Sequence, residues 1–224
     1  MPKFVDAAVR RQEIVEAVFR IIAAEGLERA SLREVAAEAD LAVGSVRHYF
    51  TSSEELLAHS FSVVVDRIIG RLTSADAHLA DLASGTPEYH RGALALLSEF
   101  LPLDGERAVD ACVWMAFKNA ARTKSYLVPE ADRGHRAVAV IVGRLVKELS
   151  RDAGGGEAEQ HRLVTEAERL LATLDGLTMH ALLQPDWMTA RICGDVLAAH
   201  LADLGRGGDG SVADRADGRL ALSH

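Results

Sequence analysis

Four side chains within five residues have the chemistry to hold a polyanion and to read the edges of bases: Ser45, Arg47, His48 and Tyr49. The planar guanidinium of Arg47 can bridge guanine O6 and N7 or grip a phosphate. His48 and Tyr49 can donate to phosphate oxygens, and the short Ser45 can reach backbone or base. Val46 and Phe50, four residues apart, share the other face and would anchor the segment to a core. Upstream, Ser31-x-x-Glu34 has capping-box spacing, and the Ser31 hydroxyl beside freed helix N–H groups can also take a phosphate. The same residue types equally suit a solvated face with a half-buried tyrosine, so the elements that carry them decide.

Val9, Ile14, Val18, Ile21 and Ile22 recur at steps that predict an amphipathic helix over about 7–24, stopped by Gly26 in a left-handed cap. Leu32, Val35, Ala36 and Ala39 predict a short second helix. Residues 40–44 form a tight connection, and residues 45–50 form a third helix. This is the helix-turn-helix arrangement, whose second helix fits a major groove about 12 Å wide. A further capping box, Ser52-x-x-Glu55, opens a long helix reaching about Leu82. Thr86-Pro87 starts the next, and apolar helices follow over 106–122 and 138–149, with Pro129 marking a start between them. Two long helices, Glu157–Leu183 and Pro185–Leu204, come after Gly154-Gly155-Gly156. No strand is predicted. The expected architecture is all-α: a three-helix head over residues 1–51, a helical body over 52–204 and a disordered tail over 205–224.

Of the 224 residues, 49% are hydrophobic and 26% charged, which suits a folded body of this length. The net charge of −8 argues against an indiscriminate polyanion binder. Residues 1–50 hold seven Lys and Arg against eight Asp and Glu, so any attraction to DNA must come from placement: Arg10, Arg11, Arg33 and Arg47 on one face. Cys112 and Cys193 are far apart and form neither a zinc nor a redox motif. No signal peptide and no apolar run near 20 residues is present, so a cytoplasmic chain with no membrane partner is expected. Phosphate-cradling glycine loops, nucleophile elbows and metalloprotease motifs are missing, and the nine histidines show no metal spacing. No enzymatic activity and no cofactor are expected.

Read in order, Gly26-Leu27-x-x-Ala30-Ser31-Leu32-x-x-Val35-Ala36-x-x-Ala39-x-Leu41-Ala42-Val43-Gly44-Ser45-Val46-x-x-Tyr49-Phe50-x-Ser52-x-Glu54-Glu55-Leu56 resembles the DNA-binding domain of the TetR family of bacterial transcriptional regulators. The resemblance implies that Ser31 and Tyr49 contact phosphate, that Val43, Ser45, Arg47 and His48 lie where bases are read, and that Phe50 seats the recognition helix. Three positions depart from the pattern. Ala42 stands where a capping Ser is frequent, Ser53 where a phosphate-binding Lys is common, and Arg47 where a Tyr is common.

For the body, the resemblance implies a homodimer and a small-molecule effector. Leu163, Leu170, Leu174 and Leu177, with Trp187, Val196 and Leu197, form the apolar stripes offered to a dimer, although the same stripes also suit an internal core. Trp114, Phe117 and Arg122, with Met179 and His180, are the candidates for a partly apolar pocket. The expected function is a ligand-responsive regulator, a repressor in the first instance, which binds a palindromic double-stranded operator as a dimer and is released by an inducer. The alternative is a helical interaction protein that keeps the fold without binding DNA specifically.

Overall fold

The chain was analysed as a computed structural model, which describes residues 6–150 and 156–206. The described residues fold into nine α-helices and two short 3₁₀ turns. Helix α1 (Ala7–Glu25) is capped by the Asp6 carboxylate, which accepts the Ala8 N–H, and it buries Ile14, Val15, Val18, Phe19, Ile21 and Ile22. Val9 lies outside that stripe, half exposed. Gly26 ends the helix at φ 88° and ψ 166°, an extended conformation on the positive-φ side rather than the left-handed helical cap expected.

Helices α2 (Leu32–Glu38) and α3 (Val43–Tyr49) follow, joined by a turn in which Asp40 takes φ 53°. Aspartate tolerates that region better than most residues, which lets the chain reverse in four residues. Ser31 Oγ accepts the Glu34 N–H at 3.2 Å, but the carboxylate does not reach back; it faces Arg29 at 3.9 Å. Only half of the expected capping box forms. Helix α4 (Ser53–Ala80) starts with Ser52 Oγ accepting the Glu55 N–H. Glu55 returns one residue further back than the pattern, accepting the Thr51 N–H and hydroxyl, both at 2.7 Å.

The body adds α5 (Pro87–Ser98), with Thr86 as its cap, and α6 (Gly105–Ala120), capped by Asp104. Then come α7 (Val128–Leu149), α8 (Glu157–Leu183) and α9 (Ala190–Arg206). Helix α9 starts five residues later than expected. The Gln184 carbonyl accepts the N–H groups of both Trp187 and Met188, so the chain turns through Pro185 before the helix begins. The proposed tail lies outside the described residues beyond Arg206, as does most of the glycine link, residues 151–155.

Two apolar cores hold the chain together. The first gathers Ile14, Val18, Phe19, Val35, Val46, Phe50, Phe61 and Val65 of the head and α4 around Val113 and Phe117 of α6 and Leu127. The second joins the far end of α4 to α5, α7, α8 and α9 through Leu72, Leu97, Val142, Leu170 and Leu197. The first core therefore does not stop at residue 51; α4 and α6 complete it.

Candidate nucleic-acid interface and ligand cavity

Helix α3 is held by its apolar side. Val46 and Phe50 are fully buried, and the half-buried Tyr49 packs against the same core. Arg11 fixes the end of the helix by donating to the Tyr49 carbonyl at 3.3 Å while lying over the Phe50 ring at 4.5 Å. The His59 ring also meets Phe50, tilted, at 5.4 Å. Burial, and secondarily the charge of Arg11, push the His59 imidazole below its ordinary pKa, which favours its neutral form beside the Arg11 guanidinium. This seating leaves Ser45, Arg47 and His48 exposed together, with Val43 half-buried at the start of the helix. Ser31 and Arg33 are exposed at the start of α2, and Ser53 is half-buried where α4 begins.

The arginines of the head divide sharply. Arg10 pairs with Glu13 at 2.7 Å, Arg20 with Glu38 at 2.5 Å, and Arg29 with Glu25 at 3.1 Å. Arg11 is engaged at Tyr49 and Phe50. Among the arginines of residues 6–50, Arg33 and Arg47 alone have side chains that make no ion pair, hydrogen bond or ring contact. Arg10 and Arg11, expected to add attraction on the same face, are instead committed to the fold. The sequence shows the charge but not that its neighbours consume it.

A cavity of about 300 Å³ opens between α4, α6, α7, α8 and the segment that follows α5. Ile68, Phe100, Trp114, Val138 and Leu171 give it an apolar wall. Trp114 is set there by Gly134 of α7: a Cβ at Gly134 would lie 2.4 Å from the indole, so only a glycine lets the ring rest against that helix. Three cations of the polar wall are already paired. Arg71 donates to Asp110 at 2.6 Å, Arg107 to Asp104 at 2.8 Å, and Lys118 to Asp175 at 2.6 Å. Glu99 lies 3.4 Å from Arg107 and 3.8 Å from Arg71. Glu168, also lining the cavity, has no ion-pair partner among the described residues.

Of the side chains expected around a pocket, Trp114 lines this cavity and the others do not. Phe117 stacks on Phe61 at 4.9 Å and is fully buried in the first core; Trp114, one turn earlier on the same face of α6, also meets Phe61, at 5.7 Å, but lines the cavity as well. Arg122 lies beyond the end of α6, exposed and near Asn119. Met179 belongs to a separate shallow groove with Cys112, Met115 and Leu183, and His180 is exposed. Sequence reasoning missed Arg71, Arg107, Lys118, Glu99 and Glu168. The one available signal was Asp110, an acid set in the apolar run Val109–Val113, which demands buried cations opposite it.

The stripes expected at a dimer interface are also redistributed. Leu170, Leu174, Leu177 and Leu197 are buried inside the chain in the second core, so these four have no surface to offer, while Leu163 packs against that core half-buried. Trp187 sits in the turn before α9, 72% exposed, and Val196 faces solvent from α9. Val164, Met179 and Leu183 are the exposed large apolar residues on α8. No helix among the described residues is long and apolar enough to cross a membrane, and none of their acid, His and Cys groups cluster as a metal site.

A family model described as bacterial regulatory proteins of the tetR family matches residues 14–59, and one described as the C-terminal domain of BetI-type transcriptional repressors matches residues 90–206. The chain is 35% identical over 186 residues to the HTH-type transcriptional regulator PksA of Bacillus subtilis, covering 83% of this chain and 84% of that protein. Among solved structures, a transcriptional regulator from Rhodococcus sp. Rha1 superposes with a TM-score of 0.71 at 29% identity, covering 88% of this chain and 96% of the other. A regulator from Saccharomonospora viridis in complex with choline shares the fold, with a TM-score of 0.67 at 19% identity over 88% of this chain and 95% of the other.

Proposed function

The chain belongs to the TetR family of bacterial transcriptional regulators, and from that premise we propose that it acts as a ligand-responsive repressor whose operator contacts centre on Arg47 and Arg33. It is a helix-turn-helix DNA-binding regulator; the partners and the residues that meet them are what the proposal adds. The observation that carries it is the division of the head's arginines: four are engaged within the fold, while Arg33 on α2 and Arg47, which shares α3 with Ser45 and His48, are exposed and unpartnered. Ser31 and Tyr49 supply neutral phosphate contacts, and Val43 and Ser45 approach the base edges. Ser53 adds no charge, so few ionic contacts are made and binding depends less steeply on salt than in a lysine-rich head.

One recognition helix reads few bases, so two copies set roughly 34–36 Å apart on a palindromic site give the needed specificity. The exposed apolar residues of α8 and α9, Met179, Leu183 and Val196 with Val164, are the surface for that dimer. The cavity suits a partly apolar effector with a cationic or hydrogen-bond-donating group. A cation meets the unpaired Glu168, and an acceptor finds one free donor, Arg71 Nε; any further contact of an anion with Arg71, Arg107 or Lys118 would have to separate an existing ion pair. The effector releases DNA to the extent that it prefers the non-binding arrangement of the heads.

The test is fluorescence anisotropy with a duplex enriched from a random-sequence pool by the full-length protein. Arg47→Ala is expected to lose about 1–3 kcal/mol of operator binding, roughly a five- to 150-fold weaker Kd, with unchanged helical circular dichroism. Unaltered affinity would remove Arg47 from the interface.

A further inference from the structure

Asp110 is an acid buried to 1% exposure in the middle of α6, and its two oxygens serve two different arginines of α4. Oδ2 accepts from Arg71 Nη1 at 2.6 Å and Oδ1 from Arg67 Nη1 at 3.5 Å. The two arginines, four residues apart on one face of α4, lead in opposite directions. Arg67 turns to the head, where its Nη2 pairs with Glu16 of α1 and its guanidinium lies over the Phe19 ring at 5.0 Å. Burial works against its charge, but the carboxylates of Glu16 and Asp110 outweigh that and hold its pKa above the ordinary value. Arg71 turns to the cavity, where its Nε lies 3.8 Å from Glu99, too far for a hydrogen bond, and is buried without an acceptor. An unbroken chain of charges, Glu16–Arg67–Asp110–Arg71–Glu99, thus runs from the first helix of the DNA-binding head to the wall of the ligand cavity.

We propose that Asp110 is a positioning residue that couples the cavity to the DNA-binding head by dividing one carboxylate between Arg71 and Arg67. This rests on the reading of the chain as a ligand-responsive regulator. The unequal distances show the division: Asp110 is close to Arg71 and distant from Arg67, which leaves Arg67 to Glu16. A ligand acceptor that satisfies Arg71 Nε draws that side chain into the cavity. Asp110 then closes on Arg67, and Arg67 loosens from Glu16, so α1 loses a tie to α4. A cationic group that takes Glu99 has the opposite sense, because Arg71 then depends on Asp110 more heavily and Arg67 stays with Glu16. The charge of the group at this wall therefore sets the direction of the response at the head.

The test needs no known effector. Glu16 and Glu99 touch no residue in common, and unconnected sites contribute additively to within about twofold. Operator Kd is measured by anisotropy on the full-length chain for Glu16→Gln, Glu99→Gln and the double variant, each with Asp110 and with Asp110→Asn. With Asp110 present, the double variant is expected to depart threefold or more from the product of the single effects. With Asp110→Asn, the departure falls to within twofold. Additivity with Asp110 present, or a departure that survives Asp110→Asn, overturns the proposal. If Asp110→Asn is not folded by circular dichroism, Arg71→Gln cuts the same chain one link nearer the cavity and must abolish the coupling equally; coupling that persists there also overturns it. If the wild-type chain enriches no duplex, the regulator reading fails, and the same cycle read as urea midpoints still tests the charge chain.

Discussion

Gly134 shows how much one missing methyl group can decide. In an ordinary helix interior, replacing Gly by Ala gains about 0.5–1 kcal/mol. Here the new Cβ would fall 2.4 Å from the Trp114 ring, and the indole must leave the α7 backbone and move into the cavity it lines. Gly134→Ala is therefore expected to destabilise the chain by about 1–3 kcal/mol in urea denaturation, the usual cost of overpacking. It should also shift the emission of Trp114, read in a Trp187→Phe background. A stabilised variant with unchanged emission would show that the ring does not depend on this contact. At this scale the sequence was informative where a side chain's role follows from its own helix, as with exposed Arg47 and buried Phe50. It was uninformative where the role depends on a partner from another helix. Trp114 and Phe117 share a face of α6 and both lie against Phe61, yet only the Trp114 indole, set against Gly134 of α7, also lines the cavity.

Helix α3, the proposed recognition element, is left without a side-chain cap. Ala42 has φ −69° and ψ 143°, the backbone of an N-cap, but no oxygen to accept the freed N–H groups. The neighbouring helices α2 and α4 have Ser31 and Ser52 at the same point. Ala42→Ser is expected to raise stability by about 0.5–2 kcal/mol, seen as a higher urea midpoint with an unchanged slope. No gain would mean that the turn around Asp40 prevents the hydroxyl from reaching the helix. Elements were legible because periodicity and capping are local: the helices of the head, Thr86-Pro87 at α5 and the Ser52 start of α4 could all be read from spacing. The start of α9 could not, because Pro185 reads as a first-turn residue and nothing local shows that the Gln184 carbonyl holds a turn there instead. The same blindness to depth turned the leucines of α8 and α9 into interface candidates. An apolar stripe has the same period whether it faces its own core or a second molecule.

At the scale of the whole fold, five of the nine exposed large apolar side chains among the described residues lie on or beside the last two helices, with Leu183 71% and Trp187 72% exposed; Val140 of α7, at 70%, stands apart from them. Light scattering coupled to size exclusion is expected to give twice the chain mass at micromolar concentration. Leu183→Glu combined with Val196→Glu should reduce it to a single chain while circular dichroism is retained, since both side chains already face solvent. A monomeric wild type would remove the two-headed binding mode. The division of the core into two also decides how this chain tolerates recombination. Val113, Phe117 and Leu127 belong to the body by sequence but to the head by packing. A chimaera that exchanges the first 51 residues for those of a relative would set a foreign helix surface against all three. What this regulator can trade as a module is therefore discontinuous in sequence: the head, the near half of α4 and the inner face of α6 must travel together, and the cavity end alone is free to diverge.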